Sequence, residues 1–206
     1  MKYLLTIPAV VTLLALATFA QDNASAETGC TSRMVTSISS RGIKIGAAMD
    51  DVLNLFASND VERQKIRHNF SGPDNSSIGY EFFSVGTSTG SGKGSDRFEG
   101  VSGYIFEFLD RKLAGFSVNY TKPNWENAEQ LADKMAQFFG LPRGEAWSGS
   151  NEVKQLRCED YKLSAQVNQS GGVFAIYDLR LGKFLKERRD AAEQAQRESD
   201  LKVFKP

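Results

Sequence analysis

Two hydrophobic periods take turns along this chain, one near 3.6 residues and one of two, and their order sketches the fold. In residues 77–85, SIGYEFFSV, the residues Ile78, Tyr80 and Phe82 alternate with Glu81 and Phe83, the pattern of a strand. Residues 101–121 hold two more strands around a tight turn near Asp110 and Arg111. On the first of them Tyr104, Phe106 and Phe108 point one way and Val101, Ile105 and Leu109 the other, so both of its faces are largely apolar. The period then lengthens. In NWENAEQLADKMAQFFGLP, Trp125, Ala128, Leu131, Met135 and Phe138 recur at helical spacing, Asn124 offers a cap, and Gly140 and Pro142 close the run. Three further strands are expected near 152–158, 161–168 and 172–179, with turns at Glu159-Asp160 and at NQSGG.

The flanks are patterned more weakly. Residues 27–41 are rich in Ser and Thr and predict a loose N-terminal arm. In GIKIGAAMDDVLNLFAS, alternating Ile43 and Ile45 lead into a short helix with Val52, Leu53 and Phe56 on one side and Asp50 and Asp51 in the first turn, where the helix dipole favours acids. Residues 58–76 carry no clear period and end in a turn cluster, SGPDNSS. From Lys183 to about Leu201 the chain reads as a charged helix with little apolar surface.

The order is helix, three strands, helix, three strands, helix. Runs of neighbouring strands separated by helices predict an α+β fold, an antiparallel sheet with helices on one face; a parallel crossover fold would alternate single strands with helices. The expected organisation is a leader over 1–26, an arm over 27–41, one helix-plus-sheet unit over 42–122, a second over 123–182, and a charged C-terminal helix and tail over 183–206.

Composition narrows the class. Residues 1–26 open with Lys2, run apolar from Leu4 to about Ala20, and end with small residues at Ala24 and Ala26, the layout of a secretory signal peptide. Cleavage is expected after Ala26, and Thr18-Phe19-Ala20 offers an earlier site. The mature protein is then periplasmic or secreted, with no stable membrane insertion, because no second run approaches spanning length. Cleavage removes Lys2 and Asp22 from 25 basic and 25 acidic side chains, so the mature chain stays neutral. Neutrality excludes a nucleic-acid partner that binds through a basic footprint. The two cysteines, Cys30 and Cys158, show no zinc spacing, and export predicts that they form a disulfide. A lipid-bearing Cys30 is not favoured, because AETGC lacks the aliphatic residue of a lipobox.

Ile43, Ile45, Gly46, Ala47, Ala48, Asp50, Asp51 and Val52 together resemble the opening of the SmpA/OmlA family, in which a short helix leads into a small antiparallel sheet. Tandem copies of that unit form the architecture of beta-lactamase-inhibitory proteins, which the element order also resembles. The resemblance implies the fold and a role in binding another protein, without enzymatic activity; it carries over no binding residue.

Candidate chemistry is sparse. GTSTGSGKGSD, residues 86–96, ends in the Gly-Lys of a phosphate loop, but Thr87 stands where the first glycine belongs and Gly94 where the magnesium-binding hydroxyl belongs. A strand is expected to follow rather than a helix, so neither a nucleotide nor any other cofactor is expected. His68 is the only histidine and has no nucleophile signature near it. Glu81, Glu107 and Asp110 lie on neighbouring strands and make a carboxylate hydrolase the enzymatic alternative. The aromatic stripe Tyr104, Phe106 and Phe108 is the candidate binding surface, since one face of the sheet must be covered by something other than the inter-strand helices or stay open.

Overall fold

The computed structural model describes residues 29–57, 59–68, 76–87 and 98–204. The leader, most of the turn cluster before residue 76 and most of the glycine-rich loop lie outside the described residues. The architecture is α+β. Seven strands form one antiparallel sheet: β1 (Tyr80–Gly86), β2 (Val101–Leu109), β3 (Lys112–Tyr120), β4 (Ser148–Gly149), β5 (Val153–Cys158), β6 (Tyr161–Asn168) and β7 (Gly171–Asp178), in the order β1-β2-β3-β7-β6-β5-β4. The helices are α1 (Ser32–Ser37), α2 (Met49–Leu53), α3 (Asp60–His68), α4 (Ala128–Phe139) and α5 (Leu181–Val203).

Each half of the sheet is a meander built on tight turns. Asp110 and Arg111 both take positive φ, 49° and 60°, the geometry that matches the twist of a two-residue hairpin between β2 and β3. Glu159, at φ 44°, opens the turn between β5 and β6. The two meanders join at the centre, where β3 pairs with β7 from Phe116↔Ile176 to Tyr120↔Gly172.

Register decides where the core lies. One row across six strands reads Phe83, Phe106, Phe116, Ile176, Leu163, Leu156, all buried and all on the face that carries α2 and α4. Met49, Val52 and Leu53 of α2 and Leu131, Ala132, Met135 and Ala136 of α4 lie in the same core cluster. Removing a large apolar side chain from water is worth roughly 1.5–3 kcal/mol, so this layer dominates the stability of the fold. Ala128, Leu131 and Met135 of the expected helix stripe are buried, but the cap and the last stripe position differ. Asn127, not Asn124, caps α4, its Oδ1 accepting from Gln130 N at 2.9 Å. Phe138 is 73% exposed, and Phe139 instead stacks on Phe174 at 5.5 Å. An expected core residue is thus on the outside, because three turns of about 3.6 residues carry the buried stripe from Ala128 round to position 139.

The arm is not loose. Thr31 caps α1, and Val35 and Ile38 are buried in the main core. The Cys30–Cys158 disulfide, with Cα atoms 4.6 Å apart, fastens it to the end of β5, and Ser32 N donates to Glu159 Oε2 at 2.9 Å. Residues 58–76, without a period in the sequence, contain α3, where Asn59 Oδ1 accepts from Glu62 N at 3.0 Å. Helix α5 begins at a corner of the opposite sheet face, where Leu181 and Leu185 pack on Ile78 with Tyr80, Leu109 and Ala114 beside them. From residue 189 onward every described residue is exposed.

Candidate functional site

Among the described residues, α2 and α4 pack on one face of the sheet and the start of α5 on a corner of the other. The central row of that second face reads Ser84, Ile105, Ser117, Ala175, Ser164, Gln155, small side chains in all but two places, with Ser117 and Ala175 buried at its middle. Beside it runs a second row in which Phe82 pairs with Glu107 and Glu107 with Gly115, while Tyr177 pairs with Lys162. Phe82 is 37% exposed and Tyr177 38% exposed, with Leu179 and Phe184 open to a similar degree at the start of α5. The result is a shallow trough with a floor of small residues and an aromatic rim.

Glu107 is the chemically distinct group on this face. Gly115 gives it room: a Cβ there would lie 2.8 Å from Glu107 Oε2 and 2.9 Å from the Ile176 carbonyl oxygen. Tyr80 donates its hydroxyl to Glu107 Oε1 at 3.2 Å. Burial raises the Glu107 carboxyl above the ordinary glutamate range, and the Tyr80 hydrogen bond opposes that only in part. Burial and then the Glu107 charge push Tyr80 far up, and the same two causes raise Tyr177. Among the described residues no cation pairs with Glu107; the Lys162 ammonium on the same row lies 5.1 Å from the centre of the Tyr177 ring instead.

The residues singled out in the sequence fall elsewhere or apart. Tyr104, Phe106 and Phe108 are 0% exposed and form the buried side of β2, stacked among Phe56, Phe83 and Phe98. Their stripe is core and cannot be the exposed surface expected of it; the part-exposed aromatics Phe82 and Tyr177 lie on the opposite face. Burial pushes the Tyr104 hydroxyl up to about 12, consistent with a side chain removed from solvent. The three acids do not converge. Glu81 pairs with Phe108 whereas Glu107 pairs with Phe82, so alternation sends the two carboxylates to opposite faces. Asp110 lies at the turn, 60% exposed, where Arg188 holds it at 2.7 and 2.6 Å and keeps its carboxyl below the usual range. A two-carboxylate cleft does not form from these three.

The chain matches no family model, no curated protein and no solved structure.

Other candidate chemistry is equally plain. Lys93 lies outside the described residues, but the loop that carries it joins β1 to β2, two paired antiparallel strands, and a phosphate loop needs a helix at its end. His68 ends α3, with its side chain outside the described set. Among the described residues no group of His, Cys, Asp and Glu could hold a metal ion, and no helix is long and apolar enough to cross a membrane. A recess under α4 lined by Ala132, Asp133, Trp147 and Lys154 has a volume of about 20 Å³, room for about one water.

Phe82 and Tyr177 were legible as strand residues and not as surface. The signal that could have placed them is the small phase of the neighbouring strands: Gly103, Gly115, Ser117 and Ser164 fall on one face, and a helix layer packs poorly against a row so short of apolar bulk.

Proposed function

We propose that this chain is an exported protein-binding module, periplasmic or secreted, that works without a cofactor or catalysis and docks another protein on the trough of its open sheet face. The observation that supports the reading most directly is the asymmetry of the sheet. One face buries its aromatic row under helices, and the other presents Phe82 and Tyr177 around a floor of small residues. Partly exposed aromatics that rim such a floor are typical of protein recognition surfaces. The Cys30–Cys158 disulfide supports an oxidising compartment, and the likeness of residues 43–52 to the SmpA/OmlA opening points to binding rather than catalysis.

The reading is tested by placing the photocrosslinking residue benzoylphenylalanine at Phe82 or Tyr177, with Lys134 on the outer side of α4 as control, and irradiating the protein in its native compartment. A discrete heavier adduct formed from positions 82 and 177 and not from 134 supports a partner on this face. Adducts at none of the three positions, or equally at all three, reject it.

A further inference from the structure

Resting on the reading of the open face as a docking surface, we infer that its partner presents a basic side chain, arginine or lysine, set among apolar groups, and that this cation bonds the carboxylate of Glu107 between Phe82 and Tyr177. The argument is one of complementarity. An ionised carboxylate offers about four acceptor sites, and here the described protein supplies one donor, the Tyr80 hydroxyl, to one of its two oxygens. The other oxygen leans over a backbone that has no side chain, since any Cβ at position 115 would collide with it. Partly buried carboxylates in folded proteins are normally paired, because an unpaired one is penalised by desolvation.

The surroundings select the shape of the missing cation. Phe82 and Tyr177 occupy the same row as Glu107, one on each side, and the Glu107 carboxylate itself lies over the buried Gly115. A guanidinium approaching that carboxylate from solvent can bond it in its plane while its faces meet aromatic rings, which makes arginine the better fit of the two. The internal alternative is already committed elsewhere: Lys162 rests over the Tyr177 ring. A cation alone would gain little at a half-buried carboxylate that solvent still reaches, so the apolar flanks are part of the specificity.

The test uses benzamidinium, a planar cation on an aromatic ring, against uncharged benzamide of the same shape. Each is titrated into isotope-labelled full-length mature protein, and amide shifts are followed by NMR. The expected result is saturable shifts at Phe82, Glu107, Gly115 and Tyr177 with benzamidinium, at least tenfold weaker binding of benzamide, and loss of the benzamidinium shifts in Glu107→Gln. The spectrum of that variant shows directly whether it is folded, and Tyr177→Leu supplies a second variant that keeps the carboxylate and is expected to weaken binding. Equal response to the two probes, or benzamidinium shifts that survive in Glu107→Gln, overturns the inference. The two proposals fail separately. Crosslinks at Phe82 and Tyr177 whose yield is unchanged by Glu107→Gln overturn the cation and leave the docking face standing; absence of crosslinks rejects the docking face itself.

Discussion

Glu107 is held in a conformation that disfavours its own charge. Because its carboxyl binds a proton more tightly in the folded chain than in the unfolded one, its contribution to stability is complete below the unfolded glutamate value of about 4.3 and is lost as pH rises through the raised folded value. Glu107→Gln cannot ionise and can still accept from Tyr80. It is expected to raise the melting temperature at pH 7, with the advantage over the natural chain disappearing near pH 3; thermal melts across that range check it, and an advantage that grows on acidification would contradict the assignment. At this scale the sequence was informative where choices were few. The sequence holds two thiols, which had each other to pair with, and they do. Three acids near one another along the strands were less informative, because a shift of one residue between Glu81 and Phe82 decides the face, and the turn at Asp110 meets Arg188 from 78 residues away.

Among the elements, α2 is the one with the least support of its own. It is five residues long, and Ala48 at its N-cap makes no side-chain hydrogen bond although its φ and ψ, −67° and 145°, are those of a capping residue. Ala48→Ser is therefore expected to stabilise the protein by roughly 0.5–2 kcal/mol, the usual value of a hydroxyl cap, visible as a higher midpoint in urea. Helix α5 makes the contrasting case. Its first two turns pack through Leu181 and Leu185, and beyond Arg188 it is held by its own side-chain pairs, such as Gln194 to Glu198 and Arg197 to Glu193. Ending the chain after Arg189 is expected to move stability by no more than about 0.5 kcal/mol, since no described residue removed is buried. Strands and the longer helices could be read from the sequence to within a few residues because their periods are local. The cap of α4 and the existence of α3 could not: Asn124 and Asn127 are equally good caps in isolation, and α3 has only Val61 and Ile66 to mark a face.

For the molecule as a whole, what the sequence concealed was long-range. Alternation along β2 shows two apolar faces and does not say which of them α2 and α4 will cover; that follows from the β3–β7 pairing, which places Phe116 against Ile176 and continues the aromatic row into the second half. The same pairing makes one core of the two meanders, so both depend on the arm that is bolted across them. Replacing Cys30 and Cys158 with serine is expected to destabilise the protein by up to about 4–5 kcal/mol, the chain-entropy value for closing a loop of this length, measurable by urea unfolding. A loss close to zero would mean that α1 stays docked through Val35 and Ile38 alone.

The bridge also has a consequence for wear. It spans residues 30 to 158, so a peptide bond cut anywhere between them leaves both pieces on one covalent thread, with the β3–β7 seam still holding them in register. Such a molecule can be nicked by a protease and remain a single particle. A chain cleaved at the exposed connector beside Asn124 should migrate as two fragments after reduction and as one species before it.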